Sequence, residues 1–220
     1  MEHLRISKTA AGLHIEGFPD AVKVIRVEGR KAKQLVDLAL HKWDLEFAAE
    51  CLSNINRVPK EPRVVTQALW RAAVVHFMKC FRRSHARYQL DAGKIFRGNA
   101  PALMAFDYFA DLRNKHFVHD ENSYCQAIPG AILNNGTKPY KIEKVVCLDL
   151  VAETLEQDNY SNLHLLIKTT LLWVTDKFDA ICSALTAELE AESYEDLLAR
   201  EAIDYKLPTI DEVGKERKVA

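Results

Sequence analysis

The sequence predicts a mainly α protein: an antiparallel bundle of four long helices with an inserted β-hairpin and a short N-terminal β appendage. Three observations carry this. Apolar residues recur at spacings of three and four along four long stretches. An Asn-Gly pair, Asn135-Gly136, separates two apolar and partly β-branched runs. Turn formers are scarce, with 8 Gly and 7 Pro in 220 residues, while 48% of the chain is hydrophobic and 28% charged.

The first stretch, residues 1–29, is a β lead-in. Val22-Lys23-Val24-Ile25-Arg26-Val27 is β-branched and partly alternating, which predicts a strand. Residues 31–57 form the first long helix, with Leu35, Ala39, Leu40, Trp43, Phe47, Cys51 and Leu52 on its apolar face. Pro59 and Pro62 break the chain, and Pro62 suits the first turn of a second helix expected over 62–88. That helix is apolar nearly all round from Ala68 to Phe81, as a central helix should be, and turns basic at Lys79, Arg82, Arg83 and Arg87. Those cations complement the helix dipole and also make a candidate phosphate-tracking patch.

Residues 91–99 read as a loop. Asn99-Ala100-Pro101 supplies a cap and a first-turn proline for a third helix that runs through Arg113 and ends near His119. Residues 124–149 form the hairpin. Residues 159–192 are the fourth long helix, followed by a capping signal at Ser193–Asp196, a short helix to Ala202, and a polar tail over 205–220 expected to be mobile. The helical domain with its hairpin thus covers 30–204. Trp43, Trp70 and Trp173 lie on apolar stripes and are expected in the core, as are His76 and His164.

Composition narrows the function. A net charge of -1 provides no global field toward nucleic acid or membrane, so any such binding needs a local patch. The 5 cysteines are widely spaced, with no Cys-x-x-Cys, which argues against a disulfide framework or a cysteine-rich zinc site and for a reducing cytoplasm. No apolar run is long enough for a membrane span, and Met1-Glu2-His3-Leu4-Arg5 does not begin a secretory signal. His-Glu-x-x-His, the phosphate-binding glycine loop, Gly-x-Ser-x-Gly and Gly-x-Gly-x-x-Gly are all absent.

One segment concentrates chemistry: Leu112-Arg113-Asn114-Lys115-His116-Phe117-Val118-His119-Asp120. It places two cations, an amide and two imidazoles together at a helix end. An imidazole can move a proton near neutral pH. A guanidinium can neutralise charge growing on phosphate oxygens with a planar fork of donors. These are the groups that RNA cleavage by 2′-hydroxyl attack requires.

Arg113, Asn114 and His119 resemble the Arg-x(4–6)-His signature of the HEPN superfamily, in which a polar residue often follows the arginine. The stretch from Ala68 to Phe81 is similar in flavour to the second helix of some abortive-infection relatives. Arg71 and His76 fit the same spacing, but they lie in a largely apolar helix with Ala72 as follower and are set aside. The resemblance covers residues 31–119 and 159–192. It implies an endoribonuclease needing no metal or other cofactor, acting in defence or a toxin–antitoxin system. Arg113 would stabilise phosphorane charge, His119 would act as general acid or base, and Asn114 would position. Lys79, Arg82, Arg83 and Lys115 would hold RNA. The implied partners are RNA, a second copy of the chain whose motif shares one cleft, and an antitoxin protein.

Six positions along an ideal helix turn a side chain about 240° round the axis, so Arg113 and His119 share no face of a continuous helix. His116, three residues from Arg113, is the rival imidazole. Other readings stay open. Arg113 could bridge to Asp111, Glu46 or Glu50, and the chain could be a non-catalytic HEPN-like or generic helical binding module.

Overall fold

The computed structural model describes residues 6–9, 12–59, 63–119, 121–203 and 208–215. The chain is mainly helical. In order it forms β1 (Ile6–Thr9), β2 (Gly12–Ile15), α1 (Arg30–Ile55), α2 (Arg63–Lys79), α3 (Ala92–Ile95), α4 (Ala100–Asp111), a π-helix (Leu112–Val118), β3 (Cys125–Leu133), β4 (Ile142–Val151), α5 (Gln157–Glu190), α6 (Tyr194–Ala199) and a 3₁₀ turn (Ile210–Glu212). Its residues divide into two compact units. One holds 1–46, 82–90 and 170–220; the other holds 47–81 and 91–169.

In the first unit, α1 contributes a buried polar row, Asp37, His41 and Asp44, spaced to share one helix face. The segment 82–90 satisfies that row. Arg87 forms a buried ion pair with Asp44. The Tyr88 backbone N–H donates to Asp37 at 3.2 Å, and its carbonyl lies 2.9 Å from His41 Nε2. Burial pushes the Tyr88 hydroxyl up to about 12, with Asp37 adding to it. This corrects the predicted helix over 62–88. The helix ends at Lys79, because the following backbone turns away to pair with α1 side chains. Arg82, Arg83 and Arg87 therefore lie beyond the helix and do not form a cationic end to it.

Residues 22–27 are extended but make no strand of their own. They meet the C-terminal segment through an Ile25–Ala202 bridge, with Arg26 N–H donating to the Glu201 carbonyl at 2.8 Å and Ile203 N–H to the Val24 carbonyl at 3.0 Å. The N-terminal strands fall earlier, where β1 pairs antiparallel with β2. Ser193 caps α6 through the Asp196 N–H at 3.1 Å, so that helix begins and ends before the predicted span. The tail expected over 205–220 lies partly outside the described residues, and 210–212 form the 3₁₀ turn.

In the second unit, Trp70, Val74, Phe77 and Met78 of α2 are buried with Phe109 of α4 and Leu163 and Ile167 of α5. Phe81 stands 4.8 Å from Phe106 and 5.1 Å from Phe77, centroid to centroid, in tilted and edge-on geometries that suit ring quadrupoles. The Trp70 indole N–H donates to Thr154 Oγ1 at 3.0 Å, which satisfies the one polar atom that the buried ring carries. Trp43, in contrast, is 51% exposed, so the periodic pattern over-assigned it to the core. His164 is exposed and stacks on Tyr160, while His76 packs against Phe47 at 4.5 Å. β3 and β4 make an antiparallel hairpin from Cys125↔Val151 to Leu133↔Ile142, with an irregularity after Ile132.

Candidate functional site

The motif rides on α4 and its extension. Asn99 starts α4 as predicted, its side chain accepting from Ala102 N–H at 3.1 Å, with Pro101 in the first turn. Phe109 and Leu112 anchor the far end in the core. There the helix widens into the π-helix, so Arg113 through Val118 all lie in a turn type that is uncommon in proteins and frequent at functional sites. His119 leaves it in an extended conformation, φ −131 and ψ 142. Glu121 N–H then returns to the Lys115 carbonyl at 2.9 Å and satisfies one of the carbonyls that a helix end leaves open.

Arg113 is half-buried. Its Nη1 donates to Asn114 Oδ1 at 3.0 Å, and its enclosed Nε has no hydrogen-bond partner among the described residues. No described carboxylate pairs with it, and Asp111 is instead taken by Lys115 at 3.1 Å. The predicted amide thus contacts the arginine itself. It engages one arm of the fork.

The two imidazoles occupy different surroundings. His116 is 7% exposed, its ring 5.6 Å edge-on from Tyr124 and 5.3 Å from Phe117. His119 is exposed. Tyr124 also shares a hydrogen bond with the Tyr108 hydroxyl, which accepts from Asn159 Nδ2 at 3.1 Å; burial and the neighbouring Tyr124 push the Tyr108 hydroxyl up. Asn159 donates in addition to the Thr154 carbonyl at 3.0 Å.

Arg71, set aside on sequence grounds, lies with its guanidinium 5.2 Å from the Phe117 ring centre and braces the π-helix from α2. Arg71, Tyr124, Tyr108 and Asn159 were not singled out from sequence as site residues. Each acts through a contact between elements that no short spacing encodes. Among the expected RNA-holding cations, Lys79 is exposed at the end of α2 and Lys115 is engaged with Asp111. Arg82, half-buried, and Arg83, exposed, belong to the first unit. Among the described residues, no three His, Cys, Asp or Glu side chains gather into a metal-binding group. Comparison with protein-family models, curated proteins and solved structures finds no match to this chain.

Proposed function

We propose that the chain is a HEPN-like, metal-independent endoribonuclease, a helical bundle working as a cytoplasmic homodimer in defence or in a toxin–antitoxin pair. The observation that carries this reading is Arg113. It is a half-buried guanidinium at a helix end, held by Asn114 and without a described carboxylate partner. A structural ion pair would have consumed those donors. An arginine held in place with no carboxylate partner among the described residues suits a transient anion such as a phosphorane.

In the reaction, the ribose 2′-oxygen bonds to the adjacent phosphorus as the bond to the 5′-oxygen breaks. His119 removes the 2′-proton or protonates the leaving oxygen, and a second copy of the chain would supply the complementary role. Its exposure favours His119 over His116, since the acting imidazole must reach the ribose or the leaving oxygen. His116, packed on Tyr124, would hold the turn. Lys79, Arg82, Arg83 and Lys115 would track the RNA backbone, and an antitoxin protein would be the cognate partner.

The products decide the chemistry. The reading predicts 2′,3′-cyclic phosphate on one fragment and a 5′-hydroxyl on the other, detectable by mass spectrometry of a cleaved oligoribonucleotide. A 5′-phosphate product would rule out attack by the 2′-oxygen. The burial of His116 favours a second reading, a non-catalytic HEPN-like or generic helical binding module. RNA retained intact by a well-folded protein would select it.

A further inference from the structure

The β3–β4 hairpin presents two unlike faces along its regular ladder, from Cys125↔Val151 to Ile132↔Lys144. Residues paired across the strands share a face, and successive positions alternate between faces. One face interrupts Val145 and Val151 with Asp149 and with small side chains from β3. The other carries Ile128, Ile132, Leu148 and Leu150, each 46–60% exposed. Charge sorts the same way. Asp149, the ladder's acid, lies with the small side chains, and Lys144, its cation, lies with the large aliphatic ones.

At the centre of the aliphatic face, opposite Val146, stands Gly130. Its φ is not in the left-handed region, and a Cβ there would meet only Val146 Cγ2, at 3.9 Å, an ordinary contact. The fold therefore does not require glycine at this position, and glycine weakens a strand. What the glycine leaves is a notch between Ile128, Ile132 and Leu148, where another chain can come close.

We infer that the aliphatic face seats one amphipathic helix of a different protein, with a large apolar side chain over Gly130 and a carboxylate against Lys144. Width argues for a helix. Two strands about 4.8 Å apart are, with their side chains, about as wide as one helix of about 10 Å. Stability argues the same way. A two-stranded ribbon needs a further strand or a packed helix, and a strand added at an edge would leave this face bare. Charge argues for a different chain, because a second copy would bring another Lys144 and no ladder carboxylate to the contact. A bilayer is disfavoured, because each strand has an open edge among the described strands whose backbone groups need water. The inference names a partner's chemistry and stands whether or not the chain cuts RNA.

The test uses the full chain and a fluorescein-labelled helical peptide of about 14 residues, the length that spans the ladder's roughly 20 Å. The peptide carries a Leu stripe with a central Phe and a Glu at each end of the stripe; its control has Lys in place of each Glu. Fluorescence anisotropy should show saturable, micromolar binding of the Glu peptide by wild type and weaker binding of the Lys peptide. Gly130→Val fills the notch with a strand-favouring residue, so it should keep the fold by circular dichroism and raise the Kd about tenfold or more. Lys144→Glu should reverse the preference between the two peptides. The inference is overturned if wild type does not bind the Glu peptide, if Gly130→Val binds it equally, or if the preference survives Lys144→Glu. It is equally overturned if wild type self-associates or sediments with anionic vesicles and Gly130→Val abolishes that instead, since a second copy or a lipid surface then occupies the face. Should Gly130→Val fail to fold, the Lys144→Glu reversal decides alone.

Discussion

Arg87 is the cation whose removal the fold should feel most. It and Asp44 are both buried, so Arg87→Met leaves the Asp44 carboxylate enclosed without its ion-pair partner. The expected loss is about 3–5 kcal/mol, read as a lower urea midpoint at unchanged slope. His41, in the same row, makes a pH prediction. Burial foremost, helped by Arg87, holds its imidazole near about 4 against an ordinary 6.5, while the Tyr88 carbonyl, Asp37 and Asp44 pull the other way. A folded value below the unfolded one means the unfolded chain takes the proton first. The stabilisation from a neutral His41 is therefore complete above about pH 6.5 and is lost as pH falls toward 4, on the order of 3 kcal/mol in all. Urea melts across that range should show wild type losing more stability than His41→Gln. Parallel losses would contradict the assignment.

At the scale of elements, periodicity and caps made the helices legible. α1, α2 at its start, α4 at Asn99-Pro101 and α5 all begin within two residues of where apolar spacing and capping chemistry put them. Asn99→Ala should accordingly cost about 1 kcal/mol in chemical denaturation, the usual value of a lost cap. Two features escaped, for physical reasons. α2 stops nine residues early because Asp37, His41 and Asp44, some forty residues upstream, compete for the backbone and side chains of 82–90. The widening of α4 into a π-helix is likewise settled by packing, with His116 against Tyr124 and Phe117 under Arg71. The hairpin was legible from Asn135-Gly136, and Gly136 has the positive φ of 80 that the turn demands. Its bare apolar faces were not, since alternation cannot say whether a partner covers them.

For the whole molecule, the candidate site was legible in its residues but not in its arrangement. Arg113, Asn114 and His119 could be picked out by chemistry and by resemblance. That Asn114 would hold Arg113, that Asp111 would choose Lys115, and that His116 would be closed off while His119 stays open depended on tertiary contacts. The account depends on this site being able to act on RNA. The most direct measurement is incubation of the purified protein with a mixed RNA pool in EDTA, beside Arg113→Ala and His119→Ala. Cleavage by wild type, reduced by about 10²–10³-fold in Arg113→Ala and about 10²–10⁴-fold in His119→Ala, is the predicted result. RNA left intact by wild type, or cut equally by the variants, would contradict it.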